Sequence, residues 1–369
     1  MTTGFDVIVV GGGAVGAACA RELARTDRRV AFLDPDGDNG QAWRAAAGML
    51  APEVEARDTD DPTVALGVAG RERIAVLAER LKESIGADIG LSLQGIAHVA
   101  FDEADETHLR AQVAHQRQQS LHVDWLDADE AKARWPWLGP VVGAFWAPGG
   151  GGVDPQRLVE ALREDAIRLG ATHIGDKAVA IERQGDLVAA VQGKERYPTK
   201  EVVIAAGAWS GTIEGLPRPL AVAPVRGVMA ALPAPEGVDR AIVYGRNSYL
   251  MGRGDEVTVG STMEYAGFRN EVTAAGLARV FAGASQICPA LARAPVTRTW
   301  SGLRPVAADG LPILGADPNL GGLWYATGHG RNGILLSGIT GVLIRQMIVG
   351  EPTVIEDLAA YDPGRFWRW

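Results

Sequence analysis

This sequence predicts a mixed α/β protein: a Rossmann-type domain assembled from separated segments, and a second, β-rich domain made of the inserts between them. Three observations carry that reading. The first 34 residues have the pattern strand, glycine turn, helix, strand. Strand-to-glycine and strand-to-helix patterns return near residues 202–207 and 323–348. The stretch from about 219 to 300 changes to short β-like segments punctuated by Pro224, Pro233 and Pro235. At 369 residues the chain has room for about two or three domains.

Asp6-Val7-Ile8-Val9-Val10 reads as a short buried strand, Gly11 to Gly16 as the turn, and Ala17 to Arg25 as a helix with Ala20, Leu23 and Ala24 on one side. A second strand, Arg29 to Leu33, delivers Asp34 at its end. Leu66, Gly70, Ile74, Leu77, Ala78 and Leu81 recur at helical spacing, which predicts a helix over 66–82. Asp154 as N-cap and Pro155 at the first helical position open another helix, striped by Leu158, Leu162, Ala166 and Leu169 and closed by Gly170. Strands are expected at 178–182 and 187–191, and Val202 to Ala206 is a buried strand running into Gly207. In the β-rich stretch, strands are expected at 241–244, 248–251 and 256–260. Leu323 to Ala326 is a strand that leads through a glycine-rich turn into Ile334 to Ile348, a helix apolar on most sides and therefore buried.

Composition excludes several classes of function. Hydrophobic residues at 47% and charged residues at 22% are globular values, and 47 glycines ask for many turns or close approaches to a ligand. A formal charge of −9 leaves no basic field for phosphate backbones or anionic membranes, so neither nucleic acid nor a membrane is expected as a partner. The apolar run Ile334 to Ile344 stops at Arg345, short of a bilayer span, and Asp6 ahead of the first apolar run is the wrong charge for a secretory leader. Cys19 and Cys288 are far apart with no CxxC, so no disulfide framework or metal site is expected. A cytoplasmic protein is the resulting expectation.

The glycine turn carries the first chemical signal. Gly11, Gly13 and Gly16 follow a predicted strand and open a predicted helix, with acidic Asp34 ending the next strand, which is the context a dinucleotide-binding fingerprint requires. Free N–H groups at such a helix start favour a pyrophosphate, and Asp34 can accept hydrogen bonds from a ribose. The fingerprint alone leaves NAD and FAD open. Four further segments stand in fixed order: Ala45-Ala46-Ala47-Gly48-Met49-Leu50, small enough to lie against a flat ring; Ala205-Ala206-Gly207-Ala208-Trp209-Ser210; Gly302-Leu303-Arg304-Pro305 followed by Asp309 to Gly315; and Gly328-His329-Gly330-Arg331-Asn332-Gly333-Ile334.

From Asp6 to Phe366 this ordered set resembles the D-amino-acid oxidase superfamily of FAD enzymes, and within it the glycine oxidases of thiamine biosynthesis. The resemblance implies a glutathione-reductase-like FAD domain (1–86, 150–218 and 300–369) and a substrate domain on a large antiparallel sheet (87–149 and 219–299). It implies noncovalent FAD, in keeping with the lack of cysteine or histidine at 41–50. Alongside the glycines, Ala14, Val15 and Asp34 would contact the ADP half, and Val179 would touch the adenine half through its backbone. Gly207 would lie on the second nucleotide-contact strand. Ala47, Gly48 and Met49 would lie on the flavin side, and the turn from His329 through Gly330, Arg331, Asn332, Gly333 and Ile334 to Leu335 would line the pyrimidine edge.

On the substrate side the resemblance assigns Arg304 and Tyr249 to a carboxylate, with Arg331 and Met263 nearby. A guanidinium fork suits a carboxylate, because two parallel hydrogen bonds match its geometry and it keeps its charge. No acid or base is assigned, since the family chemistry is hydride removal from the substrate α-carbon. The implied reaction is oxidation of glycine, sarcosine or small D-amino acids, with oxygen as acceptor and imine or glyoxylate, ammonia and peroxide as products. A homodimer or homotetramer is implied too. Rival readings are a dehydrogenase or catabolic oxidase with another acceptor or bulkier substrates, an RNA-modifying flavoprotein, which the charge disfavours, and a non-catalytic nucleotide binder. The chain departs from the family pattern at Asn247, where a histidine is usual, and at Trp43 and Arg44, which replace small hydroxylated residues.

Overall fold

A computed structural model describes residues 4–367 apart from positions 36, 38, 39, 57–60, 239 and 247. The opening unit is β1 (Phe5–Val10), α1 (Ala14–Leu23) and β2 (Val30–Leu33). Val7 to Val10 are buried in β1, and α1 starts directly on the glycine turn, three residues earlier than the pattern implied. A short α2 (Ala42–Ala45) and a two-residue β3 (Met49–Leu50) carry the AAAGML segment. The next helix, α3 (Thr63–Ile85), extends past the predicted 66–82 at both ends and stops where Gly86 adopts a φ of 71°.

Residues 87–149, for which no element is predicted above, fold as β4 (Ile96–Ala100), α4 (Glu103–Gln118), β5 (Asp124–Asp127), α5 (Ala128–Arg134) and β6 (Gly143–Ala147). After β7 (Gly151–Gly152), Asp154 caps α6 (Pro155–Arg168) by accepting from the N–H groups of Gln156 and Arg157, as the Asp-Pro pair predicts. β8 (Thr172–Ile174), the hairpin β9 (Ala180–Gln184) and β10 (Leu187–Gln192), and β11 (Arg196–Ile204) follow. The β-rich stretch contains β12 (Val222–Pro233), β13 (Ile242–Tyr244), β14 (Tyr249–Arg253) and β15 (Glu256–Gly260), then α7 (Ala274–Ile287) and β16 (Arg298–Ala307). Sequence reasoning did not anticipate α7, although Val280, Ala284 and Ile287 recur at helical spacing on its buried side and Thr273 caps it through the Gly276 N–H. β17 (Ile313–Ala316), β18 (Leu323–Thr327) and α8 (Gly333–Val349) close the fold, and α8 is buried along nearly its whole length.

Two large sheets result. The first runs β17-β18-β11-β1-β2-β8, with β10 and β9 added beside β11. Its centre is parallel, so β1 lies between β11 and β2, and the C-terminal ends of all three point to one edge. The second sheet runs β16-β12-β15-β14-β13-β4-β6-β5 and is antiparallel except where β13 meets β4. The segmentation drawn from the sequence placed residues 300–307 with the nucleotide-binding segments. In the structure they lie in β16, paired along its length with β12 of the second sheet. The reason is non-local: Arg298 to Ala307 pair residue by residue with Val222 to Ala231, a register that the residues around 300 do not reveal by themselves.

Candidate active site and cofactor cavity

A large cavity of about 1330 Å3 opens at the C-terminal edge of the first sheet and runs to the face of the second. Ligands of parallel α/β sheets bind at this edge. The volume exceeds the roughly 300–1,000 Å3 usual for a small-molecule site, which leaves room for a long cofactor plus a substrate.

At the first-sheet end the wall is the glycine turn. Gly11 has a φ of 105°, and a Cβ there would meet the Ala205 carbonyl oxygen at 2.4 Å; one on Gly16 would meet the Gly11 oxygen at 1.9 Å. Gly16 therefore packs α1 onto the turn and does not itself line the cavity. Gly13 is the N-cap of α1, with no side-chain cap and no acidic residue in the first turn, so the N–H groups at the helix start face the cavity unclaimed by side chains. Asp34 lies on the same wall, ion-paired with Arg163 of α6. Arg163 also donates from Nε to the Gly12 carbonyl at 2.6 Å.

Val179 is a correction. It is 45% exposed, it does not line the cavity, and its N–H and carbonyl are taken by Gln192 and Glu214. Lys177 and Ala178 form the wall instead. The other predicted ADP-side residues, Ala14, Val15 and Gly207, are on the wall.

In the middle of the cavity, Gly48 has a φ of 87° and a Cβ there would fall 2.1 Å from the Val153 oxygen, so only glycine lets this segment pass. Arg253 fixes the segment from behind, donating to the carbonyls of Ala47 and Val153 at 2.5 and 2.7 Å. Trp300 Nε1 donates to the Ala45 carbonyl at 3.1 Å. Opposite, the Gly330 N–H donates to the Pro305 carbonyl at 2.8 Å, which latches the turn before α8 to the Arg304 strand. His329 is buried, its Nε2 lies 3.0 Å from Thr340 Oγ1, and burial pushes its imidazole down to about 3, so it is neutral. Gly330, Arg331, Gly333 and Ile334 line the cavity; Asn332, which stands at the N-cap position of α8 without a side-chain capping bond, is not on the wall, and Leu335 packs into the core.

The second sheet supplies the far end. Arg304 donates to the Thr262 carbonyl at 3.1 Å and to Ser261 Oγ at 2.6 Å, and no described acidic side chain forms an ion pair with it. Burial works against its charge. Gly227 on β12 makes room, since a Cβ there would sit 2.2 Å from Arg304 Nη1. Tyr249 is buried beside it, and burial holds its phenol in the neutral, donating form. Two residues missed by sequence reasoning complete this wall: Tyr244, whose ring centroid is 5.7 Å from that of Tyr249, donates to Glu55 Oε1 at 2.5 Å. The Glu55 carboxylate in turn raises the affinity of Arg331 for its proton. Neither carries a motif in the sequence, because each reaches the site through a loop or a sheet pairing. Met263 lines the mouth and is partly exposed, whereas Asn247 lies outside the described residues.

A glycine fingerprint, a bare helix start and a carboxylate-sized cation at opposite ends of one cavity define a flavin-type oxidoreductase, and the chain belongs to the FAD dependent oxidoreductase family, whose profile matches residues 6–347. It is similar to the glycine oxidase of Geobacillus kaustophilus, with 35% identity over 98% of this chain and 97% of that protein, and to the crystal structure of that enzyme with a TM-score of 0.92. It is 33% identical to the bifunctional protein ThiO/ThiG of Synechocystis sp., covering 99% of this chain and 55% of that longer protein. The crystal structure of iminodiacetate oxidase from Chelativorans sp. BNC1 superposes with a TM-score of 0.87 at 30% identity, over 97% and 98% of the two chains. The cofactor is FAD, and the residues present fit it: Gly11, Gly13 and Gly48 leave the space, and two uncapped helix starts, of α1 and α8, face the two halves of the cavity. Among the described residues no cluster could hold a metal ion, and no helix is long and apolar enough to cross a membrane.

Proposed function

We propose that this protein is an amino-acid oxidase that acts on glycine and other small amines bearing a carboxylate, such as sarcosine and small D-amino acids. The observation that carries the reading is Arg304: a half-buried guanidinium on the cavity wall with no described acidic partner, in need of an anion. A substrate carboxylate supplies it through two parallel hydrogen bonds, and the neutral Tyr249 phenol adds a third donor. Anchoring the carboxylate fixes the α-carbon on the flavin side of the cavity, which converts a collision into an oriented encounter. FAD supplies the hydride acceptor and, with oxygen, the route to hydrogen peroxide. The imine product then hydrolyses to glyoxylate and ammonia.

No side chain is assigned as a base. The start of α8 and neutral His329 give the adjoining end of the cavity a positive bias without a titrating group. A role in supplying the thiamine thiazole is supported by the likeness to a protein joined to ThiG. A reducing, cytoplasmic setting accords with two free, buried cysteines, and a dimer or tetramer is the proposed assembly.

A peroxide-coupled assay on the yellow protein with glycine, sarcosine, D-alanine, D-proline and a bulky D-amino acid tests the reading. Peroxide from glycine and sarcosine is expected. Anaerobic bleaching without peroxide in air would transfer the protein to another electron acceptor, and turnover confined to the bulky substrate would overturn the small-substrate assignment.

A further inference from the structure

Trp43, one of the departures from the family pattern, lies on the cavity wall and is only 7% exposed. Its pyrrole edge is against Gly13: a Cβ on that glycine would be 3.2 Å from Trp43 Cδ1 and 3.8 Å from Nε1. Gly13 is the middle glycine of the fingerprint, the one that lets backbone approach a pyrophosphate. An indole N–H in a buried residue normally has an acceptor. That of Trp43 has none among the described residues, and unlike Trp125 and Trp324, whose indole nitrogens are also without a partner but lie away from the cavity, Trp43 stands on the cavity wall where a ligand can supply one.

Two cations also sit over the ring. The guanidinium carbon of Arg44 is 4.2 Å from the ring centroid and that of Arg163 is 5.3 Å. Arg163 is held by the Gly12 carbonyl and Asp34, so its position is tied to the glycine turn. Arg44 forms no ion pair with a described acid, and its buried Nε lacks a partner. Cations over the ring draw density from it and sharpen the N–H as a donor, and they raise the local potential where an anion would lie. Both effects would be wasted on a residue that only fills space.

We propose that Trp43 is a cofactor-binding residue: its indole N–H donates a hydrogen bond to the FAD pyrophosphate, and Arg44 and Arg163 hold the ring in place for it.

The test uses holoenzyme and does not depend on turnover. Trp43→Phe keeps the ring and loses the donor; Trp43→His keeps a ring N–H. FAD release after dilution is followed by the recovery of free-flavin fluorescence, and the two pyrophosphate resonances are recorded by phosphorus NMR. Loss of one hydrogen bond to a charged group predicts release about tenfold faster or more in W43F, with at least one phosphorus resonance displaced. Release from W43H within a few-fold of the parent is expected. Parental release from W43F, or faster release with both resonances unmoved, overturns the proposal, the second outcome showing a packing role. If W43F does not fold, Trp43→Leu takes its place with the same outcomes: release about tenfold faster with a displaced resonance is expected, and parental release, or faster release with both resonances unmoved, overturns the proposal.

Discussion

Arg304 shows how a single side chain was legible from its neighbours in sequence and yet gained its meaning from burial. The Gly-Leu-Arg-Pro segment marked it, and the structure adds the small residue that makes room for its side chain, Gly227. Arg304→Ala is expected to raise the KM for glycine about 10²-fold or more with the flavin spectrum retained, and Arg304→Lys to recover part of that, because a point charge lacks the fork. An unchanged KM in the alanine variant would remove the carboxylate assignment. Val179 failed for a reason of period: adjacent residues of an extended segment point to opposite sides, so a one-residue slip turns a wall residue outward, and Ala178 holds the place instead. Burial also sets a pH dependence. It lowers the imidazoles of His329 to about 3 and His98 to about 4, against about 6.5 in an unfolded chain. Between those values the unfolded chain binds more protons, so stability is whole above pH 6.5 and is lost as the pH falls, by up to about 1.4 kcal/mol per pH unit and per histidine. Melting temperatures from pH 8 to pH 5 should decline, and more shallowly in His329→Asn; identical slopes in the two proteins would contradict this account.

Elements with strong local punctuation were read well, and those without it were not. The βαβ unit and α6 announce themselves through glycines and an Asp-Pro cap, whereas α7 and the strands of 87–149 depend on partners distant in sequence. The same distinction ranks mutations. Gly16→Ala places a methyl 1.9 Å from a backbone oxygen that cannot move without dismantling the turn, so a colourless or insoluble product is expected. Asp154→Ala removes only a cap and should cost about 1 kcal/mol, read as a shift in denaturant midpoint with FAD content unchanged. Should the two variants behave alike, the close packing at Gly16 is not what holds the turn.

For the molecule as a whole, the two-sheet division was visible as a change of texture, but the path of β16 was not, since pairing with β12 is decided by partners some 75 positions away. The cavity walls come from both sheets, so a ligand filling it ties them together. Free FAD at 100 times its dissociation constant adds about 2.7 kcal/mol to the native state. Deflavinated protein should therefore melt well below holoenzyme and recover on adding FAD; equal melting temperatures would mean that the cofactor does not bridge the sheets. Cys19 and Cys288 are both fully buried, and burial raises both thiols, so a thiol reagent should find none in the native protein and two after unfolding.

The contact between α1 and α8 has a further consequence. Gly341 lets the two helices close until a Cβ there would be 2.7 Å from the Ala18 carbonyl oxygen, backbone against backbone. The starts of these same helices face the two halves of the cavity. Their spacing is thus gauged by a backbone contact one turn into α1 and two turns into α8, like the pivot of a caliper, and the second sheet can vary its substrate wall without altering the length of molecule that the jaws accept.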